Sequence, residues 1–228
     1  MNYYNTLNLL KTCNNEDLQF LVDKLEDTET NKLISYESYE KHKNNPKMYV
    51  DAIYNEIREF GGNTFMNLYR GKGVPYKEVI TDVAKHLKVE NRSSDLIELE
   101  RQVLAKVLES AIENLSEKEK DNLFSELSQK DIDLSKLSHL SYLKILTTNP
   151  YVLQQTLKYF LSFGAKNIGS KAFMMAGGPI GWIATGAWLA FDLSSPAKRV
   201  TIPCVIHIAA LRLSRMNDDN NKKYNKYM

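Results

Sequence analysis

Apolar side chains recur at three- and four-residue spacing along most of this chain, the period that gathers them on one face of an α-helix. The stretch DLIELERQVLAKVLESAIENL carries it most clearly, through Leu96, Leu99, Val103, Leu104, Val107, Leu108, Ala111, Ile112 and Leu115. Ser93 and Ser94 offer N-cap oxygens ahead of it, and Ser116-Glu117-Lys118-Glu119 has the spacing of a capping box. A break near Leu115 and Ser116 is therefore predicted. Earlier, Leu18, Leu21, Val22 and Leu25 mark one helix face. Tyr49, Val50, Ile53, Ile57 and Phe60 mark another, which Pro46 opens and Gly61-Gly62 closes. Pro75 suits the first turn of a helix carrying Val79, Ile80, Val83, Ala84 and Leu87, and Pro150 suits one carrying Leu153, Leu157, Phe160 and Leu161. No period-two run stands between turn signals, so no strand is predicted.

The C-terminal third changes character. Between Lys171 and Asp192 lie 20 residues without charge, AFMMAGGPIGWIATGAWLAF, about the length of a bilayer-crossing helix. Four glycines, Pro179 and Thr185 dilute its hydrophobicity. Gly177 and Gly181 form a GxxxG pair, with Gly178 and Gly186 nearby, and small residues at this spacing let helices approach closely in lipid or in a soluble core. A second apolar run, Val200 to Leu211, follows Ser194-Ser195-Pro196 and ends at Arg212 and Arg215. Together the two runs predict a hairpin. Lys198 and Arg199 in its connection disfavour insertion, so burial or an interfacial position is the preferred reading and spanning the alternative.

The expected fold is thus all-α, a multi-helix bundle with a buried or membrane-prone Gly-rich C-terminal helical hairpin. A small N-terminal helical module over 1–30 precedes a main helical domain over 31–216, in which the hairpin occupies 170–215. A polar tail over 217–228, rich in Asn, Asp and Lys, is expected to fray.

Charge sharpens this division. The formal net charge of +2 over 228 residues hides a split: residues 1–150 carry 20 Lys/Arg against 25 Asp/Glu, and residues 151–228 carry 10 against 3. A segment both basic and apolar points to an anionic membrane surface or an acidic protein rather than to nucleic acid, which calls for cations interleaved with stacking aromatics. Cys13 and Cys204 are the two cysteines, far apart and in no CxxC pair, so no disulfide framework or four-ligand zinc site is indicated. The opening MNYYNTLNLLKTCNNED has no signal-peptide pattern, and a reducing, cytoplasmic setting is expected, with peripheral or inserted attachment to the inner membrane left open.

Candidate chemistry is sparse. Arg70-Gly71-Lys72-Gly73 joins glycine N–H groups to two cations, yet lacks the Lys-Ser/Thr of a P-loop, and a glycine turn between helices is the preferred reading. Cys204 and His207 stand three apart on one helical face, but two ligands do not close a metal site, and a packed thiol beside a core histidine is preferred. Glu109 and Glu113 lie on the polar side opposite the Leu/Val stripe and read as solvated surface. No nucleophile, base and orienting group can be assembled, so no catalytic residue, metal or cofactor is expected. The side chains placed to meet an anion or a partner are Arg70, Lys72, Lys198, Arg199, Arg212 and Arg215. A membrane-facing or helix-packing face is assigned to Gly177, Gly178, Gly181, Trp182, Gly186 and Trp188.

Three stretches also carry a resemblance. They are Phe60-Gly61-Gly62 through Asn67, with Arg70-Gly71-Lys72-Gly73 and Tyr76 to Lys85; then Gly177-Gly178-Pro179-Ile180-Gly181; then Arg199-Val200-Thr201-Ile202-Pro203 with Ile208-Ala209-Ala210-Leu211-Arg212. The chain resembles the uncharacterised bacterial YaaW family in these, and in the opening Leu7 to Leu25 with Cys13-Asn14-Asn15-Glu16-Asp17-Leu18. That family is distantly grouped with the ubiquinol-cytochrome c chaperone domain, whose members assist assembly of a membrane respiratory complex. The resemblance implies a helical interaction domain and no activity. The expected function is a non-enzymatic assembly or chaperone-like factor near the inner membrane face, binding an unidentified protein partner. The alternative is a membrane-active effector whose Gly-rich hairpin inserts. Oligomeric state is left open.

Overall fold

The computed structural model describes residues 4–27, 32–61, 73–128, 139–167 and 195–226. Among the described residues the chain forms ten α-helices, two short 3₁₀ turns and no strand, as the periodicity predicts. In order they are α1 (Thr6–Lys11), α2 (Asn15–Glu26), α3 (Glu37–His42), α4 (Val50–Phe60), α5 (Tyr76–His86), α6 (Leu96–Glu113), α7 (Glu117–Ser128), α8 (His139–Thr148), α9 (Pro150–Asn167) and α10 (Pro196–Lys226). The 3₁₀ turns are Leu33–Ser35 and Pro46–Tyr49.

Side-chain caps set many of the boundaries. Asn14 accepts the Asp17 N–H at 2.7 Å and the Asp17 carboxylate accepts the Asn14 N–H at 3.3 Å, a reciprocal box that starts α2. Ser116 and Glu119 form the predicted box ahead of α7, and the two hydrogen bonds that the Glu119 carboxylate takes from Ser116 hold its pKa below the usual value. At α6 the expectation is corrected: Asp95, not Ser93 or Ser94, takes the Glu98 N–H, while the Ser93 hydroxyl accepts from the Asp95 N–H. A carboxylate at the helix N-terminus also meets the positive end of the dipole, which explains why it displaces a serine. Pro75 stands at the N-cap of α5 rather than in its first turn, and Pro46 opens a 3₁₀ turn before α4 begins at Val50.

The chain divides into two compact units, one of residues 1–100 with 193–228 and the other of residues 101–192. In the first, α10 is central. Every position from Val200 to Ala210 is buried, and α1, α2, α4 and α5 pack against this helix. A helix segment apolar on nearly all sides belongs in a core, and the amphipathic faces of its neighbours supply one: Leu9, Leu18, Leu21, Ile53, Ile57 and Ile80 are fully buried. Pro203 sits inside α10 and removes one backbone hydrogen bond, yet the helix stays continuous because its surroundings fix it. The helical backbone also continues through the polar stretch after Asn217 to Lys226, since extending a formed helix is far easier than nucleating one.

In the second unit α9 packs against α7 and α8. Leu123, Leu127, Leu146, Leu153, Leu157 and Phe160 are buried there, together with the predicted α6 stripe from Val103 to Ile112. Tyr142 meets Phe124 edge to face at 5.1 Å between ring centroids, and its hydroxyl hydrogen-bonds Thr156.

Gly61 caps the C-terminus of α4, where the sequence places the end of that helix. Gly61 has φ −73°, an ordinary helical value; a Cβ there would stand 2.4 Å from Val79 Cγ2. A Cβ on Gly73 would stand 2.6 Å from the Arg58 carbonyl carbon and from the Glu59 nitrogen. Both glycines allow close approach rather than left-handed backbone. Arg58 joins the same place, with Nε donating to the Val74 carbonyl at 2.8 Å and Nη2 to the Gly73 carbonyl at 3.0 Å.

Candidate functional site

The most concentrated chemistry in the first unit lies along α10. Its first turn presents Lys198, half-buried, and Arg199, exposed. Immediately after the apolar run the helix carries cations again, but these face inward. Arg212, expected to meet a partner, is 1% exposed and grips Glu100 of α6, itself 2% exposed. Nε donates to one carboxylate oxygen, Nη2 donates to the other at 3.0 Å, and Nη2 also donates to the Thr6 hydroxyl of α1 at 2.9 Å. Such a two-pronged guanidinium–carboxylate pair is among the stronger polar contacts, and here it offsets the cost of taking two charges out of water.

Burial raises the pKa of Glu100, and the Arg212 guanidinium pulls the other way. The buried Tyr76 hydroxyl of α5 lies beside the same carboxylate without a well-formed hydrogen bond, and its own pKa is pushed well above the ordinary phenol value, first by burial and then by the Glu100 charge.

Arg215 is three-quarters covered and engages the N-terminal helices in its turn. Nη1 donates to the Thr12 carbonyl at 3.2 Å, and Nη2 donates to the Asp17 carboxylate at 2.7 Å. His207 stands 2.7 Å from the Asp17 backbone carbonyl through Nε2 and stacks on Phe20, with ring centroids 4.4 Å apart. A carbonyl only accepts, so Nε2 carries the proton, and Nδ1 is bare, buried and without a partner among the described residues. Burial holds the imidazole down at about 4, only partly opposed by Asp17. The same effect pushes the Cys13 thiol up to about 11 and the Cys204 thiol up to about 12. At neutral pH these groups are therefore an uncharged imidazole and two protonated thiols. Their arrangement fixes helices to one another and presents no activated nucleophile.

Arg212 and Arg215 thus come together with Thr6, Thr12, Asp17, Tyr76 and Glu100 as an interior network, not as part of an outward basic surface. The reason is that each finds a carboxylate and a threonine oxygen within reach. Arg70, Lys72, Gly177, Gly178, Gly181, Trp182, Gly186 and Trp188 lie outside the described residues. Cys204 and His207 gain no set of metal ligands among the described residues. Among these residues, too, no helix is long and apolar enough to cross a membrane.

Sequence reasoning missed Glu100, yet it left a signal. Glu100 falls four residues after Leu96 and three before Val103, on the apolar stripe of α6, just as Arg212 falls four after Ile208 on α10. Opposite charges placed within two apolar faces are the pattern of a buried ion pair.

Comparison with known proteins gives a consistent family. The chain is 31% identical over 243 aligned positions to a UPF0174 protein of Helicobacter pylori strain J99, an alignment that covers 97% of this chain and 96% of that protein. A UPF0174 protein of H. pylori strain 26695 is 32% identical, with 77% of this chain and 93% of the relative covered. The UPF0174 protein YaaW of Escherichia coli K12 is 27% identical over 78% of this chain and 76% of its own length, in line with the resemblance read from the sequence. No family model and no solved structure matches the chain.

Proposed function

The chain belongs to the UPF0174 family, and we propose that it serves as a non-enzymatic helical interaction protein, an assembly or chaperone-like factor acting near the inner face of the membrane. The observation that carries this reading is the inward commitment of the first unit's reactive groups. Cys13, Cys204, His207, Glu100 and Arg212 are all buried, and the three that carry the strongest polar contacts hold helices rather than face a cleft. What this unit offers outward includes Arg199 at the start of α10 and the exposed apolar side chains Ile34 and Met48, 66% and 54% accessible. A cation beside an apolar core helix suits a negatively charged partner or headgroup.

A second reading, a membrane-active effector, draws on one specific feature. The run from Val200 to Ala210 is apolar but for Thr201 and His207, buried on every side, and covered by α1, α2, α4 and α5, so the chain carries both an insertable segment and its sheath.

Vesicle flotation separates the two. Deleting the C-terminal third would remove α10 and the centre of the first unit, so substitutions are the informative perturbation. The full chain and a Lys198→Glu/Arg199→Glu variant are floated with anionic and neutral vesicles at low and high salt. Salt-sensitive binding to anionic vesicles, lost in the variant, is the expected result. Salt-resistant flotation of both chains would favour the effector. No flotation at all would sink the membrane-face part of the proposal.

A further inference from the structure

One residue of α2 is held twice by α10. The Asp17 carbonyl takes the His207 Nε2 proton, and its carboxylate takes Arg215 Nη2. Phe20, one turn along α2, covers the imidazole face, and Lys24 lies beyond it with Nζ 6.0 Å from the Phe20 centroid. The charged groups facing this contact are therefore Asp17 and Lys24 from α2 and Arg215 from α10 itself. Among the described residues α1, α4 and α5, which also pack on α10, bring no charge that acts on the ring.

We propose that α2, with α1 ahead of it, is an acid-releasable cover on α10, kept shut by neutral His207 and let go when its imidazole gains a proton. A protonated ring still donates Nε2–H to Asp17. Its new N–H at Nδ1, however, lies in the interior with no acceptor among the described residues, and its charge is held from water on a side chain only 7% exposed. Lifting α2 away gives both to solvent. The covered ring protonates at about 4 and an ordinary one at 6.5, so protons bind the open form first as pH falls. Between about pH 7 and about pH 5 the open-to-closed ratio rises about 20-fold. The affected contacts join residues 190 and 198 positions apart, so release separates the two ends of the sequence rather than loosening a local turn.

Cys204 reports the opening. It lies three residues before His207, is fully buried, and has Lys24 of α2 as the charge that reaches it. In a Cys13→Ser chain it is the one remaining thiol. Its reaction with dithiodipyridine, a disulfide reagent active in acid, is divided by the rate for the same chain unfolded in guanidinium at the same pH. That ratio should rise about 20-fold from about pH 7 to about pH 5 while the helical circular dichroism is kept. Adding His207→Gln, which keeps a donor for Asp17 but cannot titrate, should cut the rise below about threefold. An equal rise in both chains, no rise in either, or loss of the helical signal overturns the proposal. The substitution sits in a core, so the ring is also followed by NMR in the unsubstituted chain. An imidazole neutral down to about pH 5 in the closed form is expected, and one titrating near its ordinary value overturns the proposal.

Discussion

Replacing Arg212 by Met would keep most of the side-chain volume and remove the guanidinium that faces Glu100 and Thr6. Glu100, 2% exposed, would then be a buried carboxylate with its partner gone. Breaking a buried pair from one side costs roughly 3–5 kcal/mol, most of it the penalty of the stranded charge. Glu100→Leu alone should cost a similar amount by stranding Arg212. The two substitutions together should cost far less than their sum, about 1 kcal/mol or below, because neither charge remains to be solvated. Urea unfolding followed by circular dichroism reads this directly. With a slope of about 2 kcal/mol per molar, each single variant should lower the midpoint of the first unit by roughly 2 M, and the double variant by under about 0.5 M. A pH series adds a sign. In the Arg212→Met chain the raised pKa of Glu100 makes the folded state take up a proton that the unfolded chain releases. Its deficit should therefore shrink as pH falls towards the ordinary carboxylate value and grow as pH rises. Single variants within about 1 kcal/mol of the parent, or a double variant that costs the full sum, would refute the reasoning.

Other contacts give further expectations. Gly73→Ala puts a methyl group 2.6 Å from the α4 backbone, which cannot rotate aside, so a loss of roughly 1–3 kcal/mol in the same urea assay is expected. Asn14→Ala removes one half of the capping box and should cost about 1 kcal/mol, with faster amide exchange at Asp17 as its local sign. Glu56 accepts the Lys32 N–H through one oxygen at 2.6 Å and has no partner for the other among the described residues, and burial raises its pKa. Protonation favours the fold at this site, so the stability it contributes is present below the ordinary carboxylate pKa and is lost as pH rises through the folded value. Glu56→Gln should flatten that slope in pH-dependent unfolding, and an unchanged slope would count against a buried carboxylate there.

Much of the fold was legible because helical periodicity depends on local spacing. The stripe from Leu99 to Ile112, the Ser116–Glu119 box and the break between them follow from residues within one or two turns of each other. The choice of Asp95 over Ser93 as the α6 cap was harder, since adjacent polar residues compete and the chain direction before the helix decides. The network on α10 was the least legible part. Arg212 read as the charged end of an apolar run, and only the fold brings Glu100 and Thr6, 112 and 206 residues away, within its reach. Gly73 misled for a related reason: the space that its missing Cβ vacates is filled by α4, and no local rule names that neighbour.

The first unit is assembled from both ends of the sequence, residues 1–100 and 193–228. On a ribosome this sets an order. α1, α2, α4 and α5 emerge before the helix that fills their centre, and residues 101–192 are made in between. At roughly 5–20 residues per second the interval is on the order of 5–20 s, during which the apolar faces of the nascent helices have no native partner. Nascent chains stalled before Val200 should therefore be held by cellular chaperones and cleared by proteases, whereas chains extended past Lys226 have the helix that closes the core.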